Sequence, residues 1–278
     1  MRSWAFPVFL LLATLPTRYL AADVIGFDIQ LNLSGFSTSQ AAVFQSAAAT
    51  WESYILGYKD NINNTVLTIT ASAAPNDGVG GVLGSAGPTT GKGLIGGRFL
   101  YAETGEMFFD SADIGSLESN GSLQNVILHE MAHVIGIGSL WSSSAVGVAG
   151  FQELYVAGSG QYTGAAALAA WKSEFNQPGA TFVPVELGGG IGTADGHWNE
   201  VNGGGSNTGI VSNITGKDFK YELMTGWLNS PSFISTVTLG AFQDLGYNLR
   251  PIPEPSTWLL AMALIAVAVR HTRRRVKA

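Results

Sequence analysis

Within LHEMAHVIGIGSLW, residues 128 to 141, His129, Glu130 and His133 stand in the pattern H-E-x-x-H. Residues four apart share one face of an α-helix, so both imidazoles can reach a single metal ion with Glu130 beside it. Two histidines on Zn²⁺ and a glutamate that takes a proton from an activated water are the parts of a hydrolytic site. Val126, Ile127, Leu128, Met131, Val134 and Ile135 make this segment apolar nearly all round, which predicts a buried helix. Two histidines and a glutamate are costly inside such a helix unless they are paired or bound to metal. The expected cofactor is therefore one catalytic Zn²⁺.

An open zinc site needs three protein ligands and a water. The chain has four histidines, and one of them, His271, lies in a basic tail. His197, in the glycine-rich GTADGHWNE, is the histidine left to complete the set. Glu153 competes for the same role, because it follows His133 by 20 residues (153 − 133), the interval of a ligand on a following helix. Its segment GFQELYVAG is short and flanked by glycine, a poor helix. Asp110 and Asp113 read as turn caps, since two carboxylates are too few for a calcium cage.

Several elements must position these residues. FDIQLNL (27 to 33) alternates as a half-buried strand does, and VLTITASA (66 to 73) reads as a second strand. Ser37 or Thr38 can cap a helix through QAAVFQSAAATWESYI. Residues 75 to 97, rich in glycine with Pro75 and Pro88, predict loops around short strands, and EMFFDSAD (106 to 113) predicts a strand ending in a polar turn. Asn120 or Ser122 can cap the HEMAH helix, which Gly136 and Gly138 end. A further helix is expected near 164 to 176 and a last short one over 239 to 246. Strands alternating with helices early in the chain point to an α/β or α+β class.

The 278 residues are 46% hydrophobic, enough for one sizeable core, and the absence of cysteine excludes disulfides and thiolate metal sites. Residues 23 to 252 carry 7 Lys+Arg against 19 Asp+Glu, a net charge of −12 (7 − 19), which argues against nucleic acid as a partner. Residues 1 to 22, with Arg2 and then AFPVFLLLATLP, read as a secretory signal peptide. At the other end, Pro251, Pro253 and Pro255 mark a linker. WLLAMALIAVAV (258 to 269) follows, short for a spanning helix, with five basic residues from Arg270 that would stay cytoplasmic.

HEMAHVIGIG resembles the active-site helix of the metzincin zinc proteases, H-E-x-x-H-x-x-G-x-x-H, through His129, Glu130, His133 and Gly136. The position of the third histidine is Ser139, a departure from the standard motif. One branch, the leishmanolysin-like peptidases (M8 type), inserts some sixty residues before that histidine, and His197 lies 64 residues after His133 (197 − 133). ELMTGW (222 to 227) is similar to the methionine turn of metzincins, with Met224 27 residues after His197 (224 − 197), and STVTLGAFQDLGY is similar to their closing helix. Taken alone, Met224 would read as a core methionine; its place after His197 gives it the turn reading. The resemblance spans residues 122 to 247. It implies an α+β metzincin-like fold: an N-terminal twisted mixed sheet with two helices, the zinc-site helix, and a mostly irregular C-terminal subdomain with a Met-turn and a closing helix. It also implies a metalloendopeptidase with Glu130 as catalytic base and His129, His133 and His197 on the zinc. Gly136 would turn the chain, and Met224 would form an apolar floor rather than a ligand. Lacking cysteine, the chain has no thiol to block the zinc in a pro-form.

PEPSTWLLAMALIAVAVRHTRRR, from Pro253, resembles a PEP-CTERM sorting signal. That resemblance implies export in a Gram-negative bacterium, transient anchoring in the inner membrane through this segment, and processing by an exosortase-type machinery. The destination would be the cell surface, the outer membrane or the extracellular matrix. The resulting division is a signal peptide at 1–22, a catalytic domain at 23–250 acting on a protein or peptide substrate, and a sorting segment at 251–278. The competing expectations are a non-catalytic zinc-containing surface or biofilm-matrix protein, and a zinc protease with Glu153 as third ligand.

Overall fold

A computed structural model describes residues 26–62, 66–94, 96–142, 151–201 and 204–251. The expected signal peptide, and the expected sorting segment beyond Pro251, lie outside the described residues. Among the described residues no helix is long and apolar enough to cross a membrane.

The structure is α+β. Its main sheet has four strands in the order β1 (Asp28–Ser34), β3 (Val66–Ala74), β5 (Tyr101–Asp110), β4 (Gly84–Lys92). The first three run parallel, and β4 is antiparallel to β5 at the edge. Alternation decides which face of β3 is buried: Leu67, Ile69 and Ala71 point into the core, as do Tyr101, Met107 and Phe109 of β5. The helix α1 (Thr38–Tyr54) begins at a capping box, where the Ser37 hydroxyl accepts from the Gln40 N–H and the Gln40 side chain accepts from the Ser37 N–H. It buries Phe44, Ala47, Ala48 and Trp51, spaced i, i+3, i+4 and i+7.

The helix α3 (Leu123–Ile135) packs between α1 and the β4–β5 side of the sheet. The Trp51 indole N–H donates to the Leu128 carbonyl at 3.1 Å and fixes the two helices together. Ser122 stands at the cap of α3, but its side chain makes no capping bond. Asn120 contributes instead, its side-chain oxygen accepting from the Ser122 N–H at 2.9 Å.

Two elements here differ from the expectation. The glycine-rich stretch forms β4, nine residues long. Pro88 is tolerated there because an edge strand can spare an N–H, and the register shifts just after it. After β5 the chain forms α2 (Ser111–Ser119) rather than a turn. Asp110 caps that helix, accepting from the Ala112 N–H at 2.9 Å, while its other oxygen accepts from Asp77 and Gly78. Asp113 accepts from Gly80 at 2.8 Å, so the two carboxylates tie down the loop that leads into β4.

The C-terminal part is mostly irregular. It holds α4 (Ala165–Glu174) packed on α5 (Thr236–Asp244), with two-residue strands β6 (Gln161–Tyr162) and β7 (Val183–Pro184). Ser235 caps α5 by accepting from the Thr238 N–H, which starts that helix three residues before the expected Leu239. A strand pair that sequence reading missed, β2 (Ile55–Tyr58) with β8 (Tyr247–Leu249), fastens the end of the domain to its N-terminal half.

Candidate metal centre

The helix α3 presents His129 and His133 on one face, and the turn 191–197 brings His197 to them. The three Nε2 atoms lie 3.0 Å from one another. Each Nδ1 is committed elsewhere: His129 to the Leu223 carbonyl at 2.7 Å, His133 to that of Ile137 at 2.8 Å, and His197 to that of Thr193 at 2.8 Å. A carbonyl only accepts, so each Nδ1 carries the proton and each Nε2 is a bare lone pair. Three acceptors therefore face one point with no proton among them, which is repulsive unless a cation sits there. Tetrahedral zinc, with Zn–N of about 2.0–2.1 Å, spaces its nitrogens by about 3.3 Å, and this triangle is only slightly tighter. The donor set fits a divalent metal, and carbonyl partners on the far nitrogens are the usual way such imidazoles are oriented.

Burial supports the neutral form. His133 and His197 are 9% and 6% exposed. Loss of water, then the neighbouring imidazoles, holds His133 well below its ordinary pKa. The same causes bring His197 down to about 3, and burial lowers His129. The sign for stability follows. These histidines bind protons more readily in the unfolded chain, so their contribution to the stability of metal-free protein is lost as pH falls from 6.5 towards about 3. Carboxyls raised by loss of water act oppositely, Glu130 and Glu200 between 4.5 and about 8 and Glu222 and Asp244 in the same direction, so the histidine contribution is read as a difference between two proteins. Between pH 7 and pH 5 the thermal midpoint of chelator-treated wild type should fall relative to that of chelator-treated His197→Ala; a difference, wild type minus variant, that stays the same or rises would contradict this account.

Glu130 follows His129 on the same helix and is 6% exposed; burial pushes its carboxyl up to about 8. A cation beside it would pull that value down again. Gly84, the first residue of β4, provides its space, because a Cβ there would lie 3.2 Å from both Glu130 Cγ and Oε1. Glu130 and the three histidines open into a cleft of about 730 Å³, bordered on one side by residues 81–86 and on the other by 191–197, 222–223 and 225–229.

The return of His197 depends on close backbone contact. Gly138 has φ +74°, and a Cβ there would lie 2.3 Å from the Gly196 carbonyl oxygen. The turn after α3 thus lies directly against the loop that carries the third histidine. Beyond it, the Glu186 N–H donates to the His197 carbonyl and the Trp198 N–H to the Met224 carbonyl, both at 2.9 Å. Asp195 accepts from the Tyr155 hydroxyl and the Gly158 N–H, and fully buried Trp198 packs on Trp141 and Tyr162. Gly138→Ala should cost at least about 1–2 kcal/mol from the left-handed backbone alone and weaken metal binding as well. Denaturant midpoints and metal uptake of the variant would check this.

Gly136 caps α3, with φ 144° and its N–H on the Ala132 carbonyl. Ser139, where the standard motif places a histidine, donates its hydroxyl to the His133 carbonyl and so finishes the same helix. Met224 is fully buried, and its neighbours frame the site: Leu223 supplies the carbonyl for His129, and the Cβ position of Gly226 is 3.9 Å from His197 Cγ. Glu153 is exposed and does not line the cleft. Sequence reasoning missed Gly84, the contact of Gly138 with Gly196, and Glu222. The one local signal was an acidic residue directly before the Leu-Met of ELMTGW.

No protein-family model matches the chain, and no curated protein matches it in sequence.

Proposed function

We propose that the chain is an exported zinc-dependent endopeptidase of the leishmanolysin-like metzincin type. The observation that carries this is the triangle of bare Nε2 atoms, 3.0 Å on each edge, with Glu130 buried beside it on the same helix. Among the described residues the group able to hold a metal is these three histidines, with no fourth His, Asp or Glu. Structural zinc sites are normally closed by a fourth protein ligand, so an open trio favours catalysis over a structural ion in a matrix protein.

Zinc held there would activate a water and polarise the carbonyl of the scissile bond. Glu130 would accept a proton from the attacking water at its carboxylate and return it to the leaving amine. The Nδ1–carbonyl bonds keep the three imidazoles in the tautomer that leaves Nε2 free. A peptide substrate is favoured by β4, the edge strand whose first residues border the cleft. Its outward N–H and C=O groups can pair with an extended chain. The signal-peptide reading and the PEP-CTERM resemblance support a location at the cell surface or beyond, with exosortase-type processing. Zinc stoichiometry, and cleavage of casein or gelatin with and without chelator, test the reading. Purified protein that binds no zinc, or that cleaves equally well after complete metal removal, would overturn it.

A further inference from the structure

We infer that Glu222 is a positioning residue for the zinc ligands, acting on His129 through Leu223 and on the segment of His197 through Trp198. The inference rests on the zinc reading above. Glu222 is 1% exposed, directly before Leu223 and Met224, and every neighbour that bonds to it is a donor. Its Oε2 accepts from the Met224 N–H at 2.6 Å. Its Oε1 accepts from the Ser235 N–H at 3.1 Å, the Ser235 hydroxyl at 2.9 Å and the Thr238 hydroxyl at 2.6 Å. The Thr238 oxygen in turn accepts from the Trp198 indole N–H at 2.9 Å.

Two routes lead from this carboxylate to the metal. In the first, fixing the Met224 amide fixes the peptide unit beside Leu223, whose carbonyl holds His129 Nδ1 at 2.7 Å. In the second, Thr238 holds Trp198, the residue after His197, whose backbone N–H is already on the Met224 carbonyl at 2.9 Å. One buried acceptor thus ties together three things: the peptide that orients one ligand, the residue that follows another, and the first turn of α5. A metal site needs its ligands held in place, and the partners of ligands commonly govern affinity for that reason.

Glu174 provides an internal control. It is equally buried, at 2% exposure, and sits at the same helix start, accepting from the Thr236 N–H and hydroxyl and from the Ser212 hydroxyl at 2.7 Å. None of those three partners bonds to a zinc ligand or to the carbonyl that orients one. A purely structural role in capping α5 would make the two glutamates equivalent.

The experiment compares full-length wild type with Glu222→Gln and Glu174→Gln. Zinc affinity is read by competition with a chromophoric chelator, and ligand geometry by the visible spectrum of the cobalt(II)-substituted protein. Glutamine places an NH₂ against at least one of the donors that Glu222 now accepts from. Glu222→Gln should bind zinc about 10–100-fold more weakly and shift the cobalt spectrum, the range seen when a ligand's partner is removed. Glu174→Gln should keep the wild-type affinity and spectrum. Equal zinc affinity in Glu222→Gln and wild type would overturn the inference, and so would an equal loss in both variants. Where Glu222→Gln does not fold, Thr238→Val cuts the route to Trp198 alone; it should weaken zinc binding, and wild-type affinity there would overturn the inference. Wild type that takes up no zinc sinks the metal reading itself, a result distinct from variants that bind zinc as tightly as a zinc-binding wild type.

Discussion

Glu130→Ala is expected to keep its zinc and lose peptide hydrolysis by roughly two to four orders of magnitude, the usual worth of a positioned acid–base group. Zinc should stay because the three Nε2 atoms that meet at 3.0 Å do not depend on this side chain for their orientation. Their far nitrogens are held by the carbonyls of Leu223, Ile137 and Thr193. Hydrolysis should fail because the cleft then lacks its only carboxylate on the metal-facing helix. Folding should not suffer, since Glu130 is a buried group whose carboxyl burial pushes up to about 8, and removing it relieves a desolvation cost. Single-turnover cleavage measured alongside zinc content separates these effects. Near-normal proteolysis by the zinc-loaded variant would eliminate Glu130 as the base.

His197→Ala is expected to reduce zinc affinity by at least about 10²-fold, while Glu153→Ala leaves it unchanged. The first figure follows from sharing a structural-site binding energy of about 10–16 kcal/mol among four ligands, which gives about 3 kcal/mol for each. The second follows from position, because Glu153 is exposed and outside the cleft. Zinc stoichiometry after dialysis against a weak chelator reads both variants. Full occupancy in His197→Ala, or loss of zinc in Glu153→Ala, would exchange the roles of the two residues. His197→Ala should also lower the thermal midpoint of zinc-loaded protein more than that of metal-free protein, because bound metal stabilises only the folded state.

Much of this was legible in the sequence where structure is local. The helix of His129 and His133 is set by periodicity, by Gly136 beyond its end and by apolar residues on every side. The strands β1 and β3 and the helix α1 announce themselves by alternation and by the Ser37–Gln40 capping box. His197 is marked in the sequence by the scarcity of histidine and by its distance from His133, neither of which says how the loop returns. The answer lay in Gly138 against Gly196, a contact between glycines 58 residues apart (196 − 138) that no local pattern marks. The edge strand β4 was hidden because glycine and proline argue against a strand in isolation, yet an edge tolerates both. Glu222 was hidden for a related reason: its four donors come from Met224, Ser235 and Thr238, and only the fold brings the last two near.

The pairing of β2 with β8 has a temporal meaning. Tyr247, on β8, donates its hydroxyl to the Ile135 carbonyl at the last residue of α3, and the Asn248 side chain reaches the Tyr58 carbonyl. The helix bearing two of the histidines therefore receives its final buttress from nearly the last residues of the domain. Contacts closing such long stretches of chain form late and cost the most loop entropy. A polypeptide still emerging from the ribosome or crossing a membrane would hold the His129–Glu130–His133 helix without the segment that steadies it, and without His197 until most of the domain had followed. Completion of the three-histidine site would then be the last property the chain acquires, so that, if the proposed function holds, a cell making it would meet a finished protease and never a half-made one.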